Sequence, residues 1–256
     1  MNPQEEHQCI DPDTLLEQTK QNIAKYGLQV IMVSSTSYLP SFVYSIGLWH
    51  TYQHPEVICF GLPNELGHAI INDVAELIKS GKLMEAGRNY ESIFKDSRAE
   101  FLNVAPANIS DYFKAALNYY GNEDFPALQL VWTDRNDRFP WDGSFEEVFR
   151  YKQPLLDRNA DFKFREPKNL TAFTTRQWLE LNSPILHVVH DHNGDWQFLT
   201  GDQMSDDIRI VALEQLIKRD QTLNQLFDLE YGECAEREYV DDAWIRSKVE
   251  YDDEQE

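Results

Sequence analysis

Pro184-Ile-Leu-His-Val-Val-His-Asp-His-Asn-Gly-Asp-Trp-Gln-Phe-Leu199 carries the strongest local signal in the chain. Two apolar, β-rich arms flank Asn193-Gly194, a pair that predicts a tight hairpin with both turn positions at φ above zero. Downstream, Ile210, Leu213, Leu216, Ile217, Leu223 and Leu226 predict helices over about 207–219 and 222–227 that bury them. An extended stretch, Glu233–Val240, completes a smaller α+β unit over 183–248.

Upstream of the hairpin, residues 157–182 are polar, nearly neutral and contain Pro167, which reads as a linker. Before them, the stretches Leu28–Val33, Phe42–Leu48 and Glu56–Leu62 are punctuated by Gly, Pro, Ser and His and read as a meander. Residues 64–79 form the clearest helix: Leu66, Ala69, Ile70, Val74, Leu77 and Ile78 share one face, and Gly81 follows as a stop. Asp11-Pro12 opens a helix over roughly 12–26, with Asp11 as its cap. Strands at Glu100–Val104 and Ala127–Trp132 and a helix over Asp111–Tyr120 follow; Gln129–Trp141 reads as a strand, a polar turn and a return. These complete a first unit over 12–156. The predicted fold class is α+β: a β-rich first unit with flanking helices, then a smaller α+β unit built on a β-hairpin and two helices. Residues 249–256 read as an acidic tail.

The 256 residues hold 23 basic and 44 acidic side chains, a formal charge of −21. Such a balance argues against sequence-blind nucleic-acid binding, which needs Lys and Arg to displace counterions. No apolar run reaches the roughly 18 residues of a membrane span, and the polar, acidic opening Met1–His7 is unlike a leader. The expectation is a cytoplasmic protein with neither a nucleic-acid nor a membrane partner. The charge is uneven: −5 falls in residues 1–17 and −9 in residues 228–256, leaving −7 between them. Within Asp228–Asp242 the acids interleave with Leu229, Tyr231, Cys234, Tyr239 and Val240, which suggests a folded acidic face. Cys9, Cys59 and Cys234 show no zinc or redox spacing, and Cys59 between Ile58 and Phe60 reads as a small buried hydrophobe.

Candidate chemistry is sparse. His187, His190 and His192 invite a metal reading, but strand alternation turns His187 away from His190, so no metal is expected. His68, Asn72 and Glu76 form a polar row that either lines a pocket or faces solvent. No nucleophile elbow, phosphate loop or dinucleotide fingerprint occurs. Trp132, Phe139 and Trp141 flank a polar turn with Asp134, Arg135, Asp137 and Arg138, either a core corner or an aromatic-walled cleft. If the strands adjoin, Tyr44, His54, Glu56 and Gln129 would join that cleft, with Glu56 or Asp134 as base and His54 as proton carrier.

The runs Phe42-Val-Tyr-Ser-Ile-Gly-Leu48, His54-Pro-Glu-Val-Ile-Cys-Phe-Gly-Leu62 and Ala69-Ile-Ile-Asn-Asp73 resemble the bacterial family known as domain of unknown function 4262. Gln129-Leu-Val-Trp-Thr-Asp134 with Arg138-Phe-Pro-Trp141 is similar to the same family's second signature. Together they cover roughly residues 12–156. Two positions depart from the pattern: Thr133, where the family tends to have proline, and Asp137, where it tends to have glycine. The family has no established activity, so its recurrent Tyr44, Gly47, Pro55, Glu56, Asn72, Gln129, Trp132, Asp134, Pro140 and Trp141 mark a candidate site only. Gly194-Asp-Trp-Gln-Phe-Leu-Thr-Gly-Asp202 with Asp228–Glu238 resembles the family numbered 2185, placed among immunity proteins that neutralise bacterial toxins.

The favoured expectation is a non-catalytic protein that binds a basic partner, specifically a toxin or effector, through Glu233, Glu236, Glu238, Asp241 and Asp242. The alternative is an enzyme holding a small flavin- or nucleotide-type molecule in the first unit, whose strand order is compatible with a barrel. Its binding residues would be Tyr44, His54, Glu56, Asn72, Gln129, Trp132, Asp134 and Trp141. The sequence names no cofactor.

Overall fold

The computed structural model describes residues 12–249, in two units. The first comprises the chain up to Ser34 and Pro40–Arg158; the second comprises Ser35–Leu39 and the chain from Asn159 onward. The Asp11 cap, Cys9 and tail residues 250–256 lie outside the described residues. The fold class is α+β, with two mixed sheets of six strands each. No helix among the described residues is long and apolar enough to cross a membrane.

In the first unit, α1 (Pro12–Tyr26) leads into β1 (Gln29–Val33), β2 (Phe42–Ile46) and β3 (Glu56–Phe60), an antiparallel meander. The strand expected over Phe42–Leu48 stops at Ile46. Gly47 adopts φ 106, open to glycine but strained for other residues. A Cβ there would also stand 2.9 Å from Ile23. The chain turns instead into the short helix α2 (Leu48–Tyr52). Then come α3 (Asn64–Lys79), β4 (Asn89–Tyr90), β5 (Ala99–Asn103), α4 (Ile109–Tyr112), α5 (Lys114–Tyr120), β6 (Ala127–Trp132) and α6 (Glu147–Arg150). The helix expected over 111–120 is two pieces, broken where Phe113 leaves helical geometry at ψ 36.

The sheet order is β1-β2-β3-β6-β5-β4, so the sheet is open, with β1 and β4 at its edges, and is not the barrel considered above. β3 and β6 run parallel at its centre and are buried at every position, as strands covered on both faces must be. Val57, Cys59, Leu128 and Leu130 pack in one core with Ile71, Val74 and Ala75 of α3. On the other face, Tyr112 meets Phe42 and Phe60, and Phe113 meets Tyr44, all edge-on.

The second unit contains β7 (Thr171–Thr175), α7 (Arg176–Leu181), β8 (His187–His190), β9 (Trp196–Leu199), β10 (Ile208–Ala212), α8 (Leu213–Arg219), β11 (Glu233–Glu236) and β12 (Ile245–Lys248). Its sheet order is β10-β7-β9-β8-β11-β12. Three expectations are corrected here. Residues 157–182 are not a linker: β7 pairs with β10 on one side and β9 on the other, and Phe162 and Phe164 are buried. Residues 208–212 form a strand before α8 begins, and Ile210 is 64% exposed rather than buried. In the hairpin turn only Gly194 has positive φ. The Asp191 carboxylate accepts from Asn193 N (2.8 Å) and Asp195 N (3.0 Å), and Asp191 O accepts from Gly194 N (3.1 Å). The loop is therefore three residues long and closes on a left-handed glycine, the next commonest hairpin solution.

Residues 35–39 complete this unit's core. Tyr38 is 1% exposed and meets His190 (4.7 Å), Tyr231 (5.4 Å) and Trp196 (6.3 Å) edge-on. Its hydroxyl donates to Glu166 Oε2 at 2.9 Å, while Thr36 and Ser37 hydroxyls donate to the two oxygens of Glu230.

Candidate functional site

The end of β6 runs into a turn organised by Asp134. Its Oδ1 accepts from Asn136 N (2.8 Å) and Arg138 N (3.0 Å); its Oδ2 accepts from Arg138 Nε (2.9 Å) and Glu146 N (3.1 Å). Burial alone would raise this carboxyl's pKa, but the Arg138 N–H, the Arg138 guanidinium and the other N–H donors outweigh it and hold it down to about 2. With both oxygens doubly engaged, Asp134 builds the turn and is not placed to act as a base.

Thr133 and Asp137 meet in this turn. Asp137 has φ 55, the left-handed region where glycine is free of strain. Its carboxylate accepts from Arg98 N (3.1 Å), Arg98 Nε (2.7 Å) and the Thr133 hydroxyl (3.1 Å). The Arg98 N–H and guanidinium, with Thr133, lower the Asp137 pKa against burial.

Beside the turn lies a cleft of about 390 Å³, walled by Phe94, Trp132 and Phe149 and rimmed by Lys95, Asp96 and Arg135. Trp132 and Phe149 meet edge-on at 5.4 Å, and the Arg135 guanidinium lies 4.9 Å over Phe149. Of the eight small-molecule candidates, the structure brings only Trp132 and Asp134 to this cleft. Phe94 was missed because it lies well apart in sequence from the signature stretch, and Phe149 because it falls just beyond it.

The other candidates are engaged elsewhere. Glu56 is fully buried: Oε1 accepts from Gly47 N (2.8 Å), Trp49 N (3.1 Å) and Tyr120 OH (2.5 Å), and Oε2 from Ser45 Oγ (2.5 Å). Desolvation raises its pKa although these four donors oppose the shift. Glu56 thus satisfies the start of α2, where N–H groups lack helical partners. The buried His54 Nδ1 donates to Pro55 O (2.7 Å) and Nε2 accepts from Met84 N (3.1 Å); burial lowers its pKa. Tyr44 OH accepts from Ala115 N (3.1 Å), and burial raises its pKa to about 12. Gln129 bridges Pro154 O (2.7 Å) and Leu156 N (2.9 Å). Trp141 stacks on Phe139 at 4.8 Å under the Arg158 guanidinium. Asn72 lines a different cleft, formed by α1, β1 and α3. The expected Glu56–His54–Asp134 acid–base set does not assemble, since each member is held by its own local partners.

In the second unit, β11 and β12 form an antiparallel hairpin at the sheet edge. Glu236, Glu238 and Asp241 are exposed and have no ion-pair partner among the described residues. Glu233 is half-buried and accepts from Glu230 N (3.0 Å), and Asp242 accepts from Ala243 N (2.9 Å), so these two serve the loop itself. Between the acids stand exposed Tyr239 (61%), Val240 (41%) and Ile245 (66%). Ile245 pairs with Glu236 and shares its sheet face, opposite that of Arg246.

Arg237 anchors the hairpin. Its side chain is fully buried and donates to Ile185 O (2.9 Å), Thr222 Oγ1 (2.6 Å) and Asp220 Oδ2 (2.5 Å), beneath Trp244 at 4.3 Å. Its signal was available: it is the one base within residues 228–245. Among the described residues no group of three or more His, Cys, Asp or Glu side chains is arranged to hold a metal ion.

Residues 22–146 match the model of a family described as a domain of unknown function, DUF4262. No curated protein and no solved structure matches the chain. The segment carrying the Asp134 turn, the Glu56 network and α3 is therefore a member of the DUF4262 family.

Proposed function

We propose that the protein binds a basic protein partner through the β11–β12 hairpin. One observation carries this reading: within ten residues, three exposed acids with no ion-pair partner among the described residues (Glu236, Glu238, Asp241) surround exposed Tyr239, Val240 and Ile245. An apolar, aromatic centre with a charged rim is the composition of protein interfaces, and the negative rim steers a positive partner. The buried Arg237 supports it by holding the loop in one shape before binding. Arg246 does not oppose it, because Asp228 Oδ1 neutralises it at 2.6 Å. The specific form is an immunity-type role, in which the hairpin caps a basic toxin. The resemblance of Gly194–Asp202 and Asp228–Glu238 to the 2185 family supports that form.

The test is binding to a basic protein, taken from the genes neighbouring this one where one of them encodes such a protein. Triple reversal of Glu236, Glu238 and Asp241 to lysine is expected to weaken binding about tenfold or more, chiefly by slowing association at low salt. Tyr239→Ala is expected to speed dissociation. Affinity indifferent to salt and to the triple reversal would sink the reading. Protection of cells from that neighbour's toxicity separates the immunity role from binding alone.

A second reading, small-molecule binding by the first unit, is favoured by the open cleft at Trp132. A small molecule retained by the purified protein in native mass spectrometry would support it.

A further inference from the structure

The row His68, Asn72 and Glu76 on α3 does not simply face bulk water. With Asn22 and Tyr26 of α1 and Gln29 of β1 it lines a cleft of about 390 Å³, within the range of roughly 300–1,000 Å³ common to small-molecule sites. Such sites are usually apolar; here carboxamides, an imidazole and an ion pair dominate the walls.

The orientation of the three carboxamides is fixed by backbone carbonyls, which can only accept. Gln29 Nε2 donates to Val30 O at 2.7 Å, so Gln29 Oε1 is left to receive Asn22 Nδ2 at 2.5 Å. Asn72 Nδ2 donates to His68 O at 2.9 Å. Each amide nitrogen is therefore turned toward the protein, and the Asn22 and Asn72 carbonyl oxygens keep their acceptor capacity. Charge is balanced, since Glu76 pairs with Lys79 at 2.7 Å. The Lys25 ammonium, which is not among the lining residues, lies over the Tyr26 ring at 4.7 Å, and an apolar ligand would leave the acceptors unpaired. The half-exposed Tyr26 ring adds an apolar face on the side away from Lys25. A ligand matching all of this is uncharged, rich in O–H donors and carries a C–H face for an aromatic ring.

We propose that the α1–β1–α3 cleft binds an uncharged saccharide ring through Asn22, Asn72 and Tyr26. This site lies in the first unit and is independent of the partner reading above.

The test is an NMR titration of the full chain, following the side-chain amide signals of Asn22, Gln29 and Asn72. The probes are glucose, galactose and N-acetylglucosamine, each as free sugar and as methyl glycoside. Saturable shifts confined to these amides are expected with at least one probe. Response to free sugars alone indicates a free monosaccharide, and an equal response to glycosides indicates a glycan end. Asn72→Leu is expected to weaken binding about tenfold or more at unchanged Tm; Asn22→Ala serves if the leucine variant is unstable. No saturable shift with any probe up to about 0.1 M, a hundredfold above a 1 mM Kd, would overturn the proposal. So would shifts at these amides with uracil or adenine and not with sugars, or sugar binding unaltered by both variants.

Discussion

Thr133 Oγ1 donates a hydrogen bond to Asp137 Oδ1 across 3.1 Å, tying the first residue after β6 to the left-handed residue of the turn. Asp137 sits in a left-handed conformation that costs a non-glycine residue about 1 kcal/mol. The bonds from Thr133 and Arg98 offset that cost. Thr133→Val and Asp137→Gly should therefore be coupled by about 0.5 kcal/mol or more in a double-mutant cycle from urea unfolding. Asp137→Gly alone should change stability by less than about 1 kcal/mol, because relief of strain cancels most of the lost surface pairing. Strict additivity would mean that the two residues act independently.

Acid should loosen this turn. Asp134 and Asp137 both titrate below the ordinary aspartate value in the folded chain. A lowered folded pKa contributes stability that is present above the unfolded value and lost as pH falls through the folded one. The window for Asp134 runs from about pH 4 down to about 2. Unfolding free energies measured across that window should fall less steeply with acid in Asp134→Asn than in the parent. Equal slopes would contradict the assignment.

Glu56 has the opposite sign. Its pKa is raised by burial, so its contribution is present below the unfolded value and lost as pH rises through the folded one. Glu56→Ala strands the Trp49 N–H and the hydroxyls of Ser45 and Tyr120, leaves Gly47 N only its longer bond to Tyr120 OH (3.2 Å), and should cost about 3 kcal/mol or more. Glu56→Gln keeps an acceptor at Oε1 and should cost less than half as much. Equal losses in the two variants, measured by chemical denaturation, would exclude this account.

Tyr38 should behave as a core residue of the second unit. Tyr38→Ala is expected to cost about 3–5 kcal/mol and to deprotect the amides of β8 and β9 in hydrogen exchange. Tyr38→Phe removes only the bond to Glu166, and about 1 kcal/mol is expected. Protection of β8 and β9 unchanged in the alanine variant would show that residues 35–39 are dispensable to this unit.

Legibility in the sequence followed the range of the interactions involved. α1 and α3 could be read because one apolar stripe, a Pro start and Gly stops lie within each segment. β7 could not, since Thr171-Ala-Phe-Thr-Thr175 looks polar and becomes a central strand only through partners at 197 and 208–212. Residues 208–212 misled for a related reason: Ile210 fits a helix stripe with Leu213 and Ile217, yet it faces outward on a strand. At the candidate site, Trp132 and Asp134 were recognisable from their crowded turn. Glu56 and Tyr120 stand 64 positions apart, so nothing local showed that Glu56 is committed to a helix start. The acidic hairpin was visible as composition, while the anchoring of Arg237 by Asp220 and Ile185 needed the fold.

Residues 35–39 also impose an order on synthesis. Tyr38 leaves the ribosome long before Tyr231, the last of the aromatic residues that close around it. At 5–20 residues per second the interval is roughly ten to forty seconds. Throughout it the segment has no finished site to enter, and it must stay available while the chain on either side of it becomes the first unit. The second unit is thus the last to be completed although one of its pieces is among the first to be made, and a ribosome stalled before codon 231 leaves Tyr38 without its destination.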